Sequence, residues 1–156
     1  MELYYYKYNT VIGSINITAD DFYIRYISLG KYRNDSHILK ETEIINNAFR
    51  QINEYLNGSR KNFSLNIKYE GTLFQQKVWK SLLNIPYGKT ISYKELAEKV
   101  FSPKAYRAAG SACGQNPLPI IIPCHRVVHS NGSISGYALG TDIKVFLLNL
   151  EKNSLT

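Results

Sequence analysis

Cysteine and long apolar runs are scarce in this chain of 156 residues. Only two cysteines occur, Cys113 and Cys124, and no CxxC pair, so a disulfide framework is not expected. The longest apolar run, 118–123, is far too short to span a bilayer, and the first nine residues lack the apolar segment of a secretory signal. His125 and His129 have the spacing of metal ligands on a helix, but the residues between them favour a strand, so no metal is expected. We therefore expect a cytoplasmic protein from a reducing compartment, without a membrane segment.

Charge is distributed unevenly along the chain, whose formal net charge is +7. Residues 1–70 carry nine basic and eight acidic side chains, whereas residues 71–156 carry ten basic and four acidic ones. The excess of positive charge in the second half favours a polyanionic partner such as nucleic acid. A second interpretation stays open, because a surface charge of this size also serves solubility.

The first half of the chain has the pattern of a small α/β domain. Aromatic and β-branched residues separated by turn signals predict strands, the first three of them in an antiparallel sheet. The predicted strands are Leu3–Tyr8, Val11–Thr18, Phe22–Leu29 and Phe63–Tyr69. Between the third and fourth, residues 30–40 are predicted as a polar loop and Glu41–Leu56 as an amphipathic helix.

The second half is predicted to be mostly helical. Its predicted helices are Leu73–Leu83 with Thr72 as cap, a short helix from a capping box at Ser92 and Glu95 to Val100, Pro103–Gln115 with Ser102 as cap, and Asp142–Glu151. The second and third of these, joined by a tight turn, have the form of a helix-turn-helix. A short strand is expected over Ile120–Ile122, and the last helix is expected to bury Ile143, Phe146, Leu147 and Leu150.

Pro123-Cys124-His125-Arg126 is the first candidate for chemistry. A thiolate is a strong nucleophile, and a nearby imidazole or positive charge lowers the pKa of the thiol so that more thiolate exists at neutral pH. Neighbouring side chains of an extended chain point to opposite faces, so a bridging water links His125 to Cys124 more easily than direct contact does. A buried cysteine beside an incidental histidine is the alternative interpretation.

Small side chains dominate the predicted helix over Pro103–Gln115. Arg107 is followed there by Ala108, Ala109, Gly110, Ser111 and Ala112. Such a helix can lie close to DNA with Arg107 projecting as a probe, or it can pack closely against another helix. Asn116-Pro117 ends the helix just before the segment that leads to Cys124, so one short connection joins the two features.

Taken in order, these segments resemble the O6-alkylguanine-DNA alkyltransferase family over residues 71 to 151. The matching segments are Gly71–Gln75 through Trp79, Ile85–Tyr93, Arg107–Gly110, Asn116-Pro117, Ile122–Val128, Gly136-Tyr137 and Lys144 through Glu151. The Pro-Cys-His-Arg-Val core is highly specific in this setting. The resemblance implies an α/β (α+β) protein, with a ribonuclease-H-like domain over 1–70 and a mainly helical DNA-binding and alkyl-acceptor domain over 71–156.

The resemblance also implies a role for each matching residue. Cys124 accepts the alkyl group irreversibly in one turnover, His125 is its base through a water, and Glu151 orients the imidazole. Tyr93 donates its hydroxyl to the guanine ring, and Arg107 fills the gap left by the flipped nucleotide. The other implied residues contact DNA in the minor groove (Ala108, Ala109, Gly110, Ser111, Arg126) or form the pocket and hinge (Asn116, Tyr137, Ala138, Lys144).

The chain departs from the family pattern at three positions. Phe101 stands where the family often has a glycine, Tyr106 is bulkier than the small residue frequent beside the arginine, and Ala138 replaces a serine of some members. The cysteine–histidine zinc set of some members is absent as well. The implied protein is a monomer without cofactor or metal that acts on double-stranded DNA carrying O6-alkylguanine and also O4-alkylthymine.

Three other functions fit parts of the sequence. A lesion-binding protein of the alkyltransferase-like kind keeps the flipping helix but replaces the acceptor cysteine, so Cys124 argues against it. A helix-turn-helix regulator needs an effector or dimerisation module that the small first half does not suggest. A cysteine hydrolase releases its product with water, whereas a thioether is not released, so repeated turnover separates the hydrolase from the alkyltransferase.

Overall fold

The computed structural model describes residues 1–134 and 136–154, and the chain divides into two compact units, Met1–Tyr69 and the part that begins at Glu70. Among the helices of the described residues, none combines the length and the apolar character needed to cross a membrane.

The first unit is a four-stranded sheet with one helix packed on it. The strands are β1 (Tyr4–Thr10), β2 (Gly13–Ala19), β3 (Ile24–Leu29) and β4 (Ile38–Leu39), and the helix is α1 (Glu43–Leu56). The sheet order is β3-β2-β1-β4, in which β1 is antiparallel to β2 and parallel to β4. Alternate residues of β2 (Ile15, Ile17, Ala19) and one face of α1 (Ile45, Ala48, Ile52) are fully buried, so the core lies between them.

The prediction that the first three strands form an antiparallel sheet is confirmed, and β4 makes the sheet mixed because it pairs in parallel with β1. Strand β4 falls inside the segment 30–40 that the polar pattern predicts as a loop, and both of its residues are exposed, so no burial pattern marks it. The strand predicted over Phe63–Tyr69 is also wrong. That segment makes a single bridge, between Ile67 and Ile24, because its alternation reflects contact with the edge of β3 and not a continuous ladder.

The second unit is mainly helical. Its helices are α2 (Leu73–Leu82), α3 (Tyr93–Lys99), α4 (Tyr106–Gly114) and α5 (Thr141–Asn153). Two short strands, β5 (Ile91–Ser92) and β6 (Val127–Val128), pair in parallel, and Cys124–Arg126 form a 3-10 turn just before β6. Helices α3 and α4 are consecutive and packed together, as a helix-turn-helix requires.

Capping boxes fix the starts of α2 and α3. The Thr72 hydroxyl accepts from the Gln75 N–H at 3.1 Å while the Gln75 side chain accepts from the Thr72 N–H at 2.9 Å. Ser92 and Glu95 repeat the arrangement at 3.0 and 3.1 Å. Each box satisfies two backbone donors that a helix start leaves without partners, and both predicted caps are confirmed.

The start of α4 differs from the prediction. The pattern predicts Ser102 as cap and Pro103 as first residue, whereas α4 begins at Tyr106 without a side-chain cap. Ser102 belongs to the end of α3, because its N–H donates to the carbonyl of Ala97 at 2.9 Å. It therefore closes the first helix of the pair and does not open the second.

The connection from α4 to the 3-10 turn is itself a turn, and the strand predicted over Ile120–Ile122 is wrong. The Ile122 N–H donates to the carbonyl of Leu118 at 2.8 Å. Ile120 has a φ of +77°, which a β-branched residue rarely adopts. This tight turn brings the chain back towards the end of α4.

Helix α5 buries a different face from the predicted one. Leu147 is buried as expected, but Phe146 is 36% exposed, while Lys144 and Glu151 are 0% and 1% exposed. Residues 144, 147 and 151 share one helical face because they are three and four positions apart. Two ionisable side chains therefore point into the interior of the second unit.

Candidate active site around Cys124

Cys124 lies in the 3-10 turn with its side chain almost fully buried. The amide of Asn116 donates from Nδ2 to Cys124 Sγ at 3.1 Å and to the carbonyl of Ile122 at 2.8 Å. Its Oδ1 accepts from the Leu118 N–H at 2.9 Å, so both ends of this buried side chain are used. Asn116 therefore braces the turn and fixes the position of the sulfur.

Burial raises the pKa of the Cys124 thiol to about 11. The hydrogen bond from Asn116 and the charge of Lys144 act in the opposite direction, but they do not outweigh the loss of solvation. The sequence argument for a lowered thiol pKa is therefore wrong for the resting protein, because it left burial out. At neutral pH the thiol is protonated, and a base must remove its proton before or during nucleophilic attack.

His125, Arg126 and Glu151 form a buried hydrogen-bonded network in and beside the same turn. His125 Nε2 donates to Glu151 Oε2 at 2.7 Å, and Arg126 donates from Nε and Nη2 to the two carboxylate oxygens at 2.8 and 2.9 Å. The Gly88 N–H adds a fourth donor at 3.0 Å, and Arg126 Nη1 donates to the carbonyl of Ile85 at 2.7 Å. The carboxylate thus orients the imidazole and the guanidinium together.

The network also sets the protonation state of each member. Burial lowers the pKa of His125, although Glu151 opposes this, so the imidazole is neutral at pH 7. Burial alone would raise the pKa of Glu151, but the hydrogen bonds from His125 and Arg126 hold it well below its usual range. Because the proton of the neutral ring lies on Nε2, facing the carboxylate, Nδ1 carries the lone pair that can accept a proton.

Arg126 does not lie on a DNA-facing surface, and that expectation is corrected. Its side chain is only 9% exposed, and three of its nitrogens donate within the second unit. The guanidinium also lies 5.6 Å from the centre of the Tyr87 ring. Arg126 is the buried charge partner of Glu151.

Tyr93, at the start of α3, accepts a hydrogen bond at its hydroxyl from Lys144 Nζ at 3.3 Å. Burial raises the pKa of Tyr93 to about 12, so the hydroxyl keeps its proton at neutral pH and can donate it. Burial lowers the pKa of Lys144, while the nearby thiols Cys124 and Cys113 raise it. A Cβ added at Gly110 would stand 3.6 Å from the Tyr93 ring, so this small residue lets α4 approach the ring closely.

Helix α4 presents Arg107, Ala108 and Ser111 to solvent, with Gly110 half-buried. Ala109 is fully buried, because it lies on the opposite face of the helix, and the expectation that it contacts DNA is corrected. After Tyr106 and Arg107, the exposed residues Ala108 and Ser111 are small, which leaves room for a ligand surface to come close to the backbone there.

The segment before α5 carries Tyr137 and Ala138. Tyr137 is 9% exposed, and its ring meets the His125 ring edge-on at a centroid distance of 6.2 Å. Ala138 is exposed. The structure therefore brings Tyr137 to the imidazole, while Ala138 offers only its backbone and a methyl group.

Sequence reasoning missed two backbone groups and a cavity. The Ile85 carbonyl and the Gly88 N–H take part in the hydrogen bonds of the ionic network, although the sequence pattern gives neither residue a role in the site. The match of residues 85–93 to the family pattern is the signal that marks them. A cavity of about 770 Å³ lies beside Tyr93, bounded also by Tyr106 and His129, whose ring centre is 5.1 Å from that of Tyr93.

Two family models match the chain. The model described as 6-O-methylguanine DNA methyltransferase, DNA binding domain, matches residues 73–153. The model described as 6-O-methylguanine DNA methyltransferase, ribonuclease-like domain, matches residues 3–69.

Individual relatives are similar over nearly the whole chain. The methylated-DNA–protein-cysteine methyltransferase of Methanosarcina barkeri is 41% identical over 98% of this chain and 99% of its own. The constitutive one of Bacillus subtilis is 43% identical over 97% of this chain and 96% of its own. A crystal structure of Mycobacterium tuberculosis OGT in complex with DNA is 36% identical, with a TM-score of 0.90 over 97% of this chain and 94% of that one. The chain belongs to the 6-O-methylguanine DNA methyltransferase family.

Proposed function

We propose that this protein repairs DNA by direct reversal, moving the alkyl group of O6-alkylguanine onto Cys124 in a single turnover. Membership of the family makes it a DNA-binding enzyme that transfers methyl groups from methylated DNA to a protein cysteine. The observation that carries the choice of Cys124 is the hydrogen bond from Asn116 to its sulfur, in the same buried turn as the histidine network.

The transfer exchanges one bond for another. The sulfur electron pair forms a bond to the alkyl carbon, and the C–O bond breaks with its electrons staying on the guanine oxygen. The thiol proton passes to Nδ1 of His125 through a water, and Glu151 stabilises the imidazolium that forms. Tyr93 donates its hydroxyl proton to the leaving guanine ring and recovers one through solvent from His125. The products are guanine and a thioether on Cys124, and the transfer is irreversible because water does not cleave a thioether.

Helix α4 makes the DNA contact. Its small exposed residues allow a close approach to the minor groove, and Arg107 enters the space that the flipped nucleotide leaves. The flipped base then reaches Tyr93, whose ring lies against α4 at Gly110. The positive charge of the second half supports binding to phosphates.

The substrate range and setting follow from the same chemistry. O4-alkylthymine also carries its alkyl group on an exocyclic oxygen, so we propose it as a second substrate. The proposed steps use only side chains of this chain, which suits a monomer without a cofactor. We place the protein in the cytoplasm, because an acceptor thiol has to stay reduced.

Base flipping is tested by Arg107→Ala. The variant should react with O6-methylguanine in duplex DNA about tenfold more slowly or worse, because flipping costs a few kcal/mol that the inserted side chain partly offsets. Reaction with free O6-benzylguanine should stay within about twofold of wild type, since a free base has no stack to leave. Both rates are measured as loss of the alkyl group from the substrate.

Arg33→Ala is the matched control, because Arg33 is an exposed arginine of the first unit. It should change neither rate. Equal slowing of both substrates by Arg107→Ala would mean that Arg107 shapes the pocket and not the flip. Failure of the wild-type protein to react with either substrate would overturn the proposed function itself.

A further inference from the structure

Two aromatic side chains stand exposed where α3 turns into α4. Phe101 is 92% exposed, more than any other large apolar side chain in the described part of the chain. Tyr106, the first residue of α4, is 47% exposed and forms part of the wall of the cavity beside Tyr93. Apolar surface of this kind gains nothing from folding, because it remains in water.

Phe101 also occupies a backbone position that favours glycine. Its φ is +60°, and its N–H donates to the carbonyl of Glu98 at 3.0 Å while the Ser102 N–H donates to that of Ala97 at 2.9 Å. These two bonds are the Schellman motif that ends a helix, with Phe101 at the left-handed residue. A phenylalanine there is strained, and because its side chain is 92% exposed, packing in the described structure offsets little of that strain.

Lys94 and Lys104 line the cavity with Tyr106, and Arg107 follows Tyr106 in α4. Among the described residues no carboxylate pairs with any of these three cations, although the exposed Glu98 lies three positions before Phe101. The Arg107 guanidinium lies 5.9 Å from the centre of the Tyr106 ring, so the aromatic surface continues directly into the exposed face of α4. Aromatic rings next to basic side chains are a combination that nucleic-acid-binding proteins use, because the cations contact phosphates and the rings stack on bases.

We propose that Phe101 and Tyr106 are DNA-contacting residues that stack on bases or sugars beside the flipped nucleotide. The proposal rests on the proposed function, because it extends the surface of α4 around Arg107. Apolar side chains inserted at minor-groove steps and rings stacked on exposed bases both strengthen binding without reading sequence. DNA contact gives the exposed ring of the strained Phe101 an apolar surface to pack against.

Phe101→Gly distinguishes a DNA-binding role from a structural one. A DNA-binding role predicts that stability rises while affinity falls, whereas a structural role predicts that stability falls. Glycine relieves the left-handed residue, so the midpoint of thermal unfolding should rise by a few degrees. Affinity for an undamaged duplex, which cannot react, should nevertheless fall about tenfold in fluorescence anisotropy. Phe101→Trp should keep wild-type affinity, and Tyr106→Ala should weaken binding as Phe101→Gly does.

Phe22→Ala, a change at a 65% exposed phenylalanine of the first unit, is the matched control and should leave affinity unchanged. Unchanged affinity in Phe101→Gly would overturn the proposal. It would also be overturned if the wild type formed an oligomer that Phe101→Gly dissociates without changing DNA binding. The rate of reaction with free O6-benzylguanine should be the same in wild type, Phe101→Gly, Phe101→Trp and Phe22→Ala. If the wild type fails to remove the methyl group from O6-methylguanine in duplex DNA, the proposed function fails instead, whatever the affinities are.

Discussion

Replacing Cys124 with alanine should abolish methyl transfer from O6-methylguanine in duplex DNA and leave DNA affinity within about twofold of wild type. Transfer ends because the sulfur supplies the electron pair for the new bond, and no other group in the turn is a comparable nucleophile. Affinity persists because the thiol is buried and the exposed cations lie on other elements. The transfer is measured as conversion of the lesion to guanine, and the affinity by anisotropy.

Cys113→Ala is the matched control, because Cys113 is the only other thiol in the chain and is equally buried, on α4. Burial raises the pKa of Cys113 to about 12, and in the described structure the Asn116 side chain donates to the sulfur of Cys124 and not to that of Cys113. The control should retain transfer at a rate within severalfold of wild type. Transfer lost in Cys113→Ala and kept in Cys124→Ala would reverse the assignment.

Glu151→Gln should slow transfer to free O6-benzylguanine about 100-fold at pH 7. The carboxylate stabilises the imidazolium that forms when His125 takes the thiol proton, and glutamine cannot do so. The same change should lower the free energy of unfolding by about 3 kcal/mol, because it leaves the buried guanidinium of Arg126 without its counter-charge. A free base as substrate keeps DNA binding out of the rate, and urea unfolding gives the stability.

The pH dependence distinguishes a base from a structural charge. In the wild type the rate should rise with pH through the lowered pKa of His125 and be flat around neutrality, because the neutral imidazole is the active form. Without Glu151, which raises the pKa of His125, that rise should move to still lower pH and end on a lower plateau. The two proteins should converge near pH 11, where Cys124 ionises without help.

A double variant separates the loss of rate from the loss of stability. Adding Arg126→Met to Glu151→Gln removes the unpaired buried charge, so stability should largely return while the rate stays low. Glu98→Gln, at an exposed glutamate of α3, should alter neither quantity. If the rate recovers together with stability, Glu151 acts only through the fold.

The helix starts of the second unit could be predicted because they depend on residues close together in sequence. The pairs Thr72–Gln75 and Ser92–Glu95 are three positions apart, and each box closes within one turn. Ser102 is also of a residue type that favours a helix N-cap, but its N–H donates to the carbonyl of Ala97 and so belongs to the end of α3. The sequence pattern alone does not show whether Ser102 begins α4 or ends α3.

Strand β4 could not be predicted for a different reason. It has two exposed residues and pairs in parallel with Tyr4 and Tyr5, which lie more than thirty positions earlier. Such a pair carries no alternation of burial, and a parallel partner distant in sequence leaves no turn signal. The antiparallel arrangement predicted for the first three strands is confirmed, and β4 is the strand that the sequence pattern missed.

The identities of the site residues were visible in the motif, but their environments were not. Arg126 and Ala109 were assigned to the DNA surface, and only the packed structure shows that both are buried. The raised pKa of Cys124 likewise depends on how completely other elements cover the turn. Burial is a property of the whole second unit, so a motif of five residues cannot give it.

The most direct test of the acceptor role is the intact mass of the protein after incubation with excess duplex DNA containing O6-methylguanine. Each molecule should gain one methyl group in place of a hydrogen, and peptide mapping should locate it on Cys124. The gain should stop at one equivalent, however much substrate is supplied, because the thioether is not released. Methylation at Cys113, or restored guanine in excess of the protein present, would contradict single-turnover transfer to Cys124.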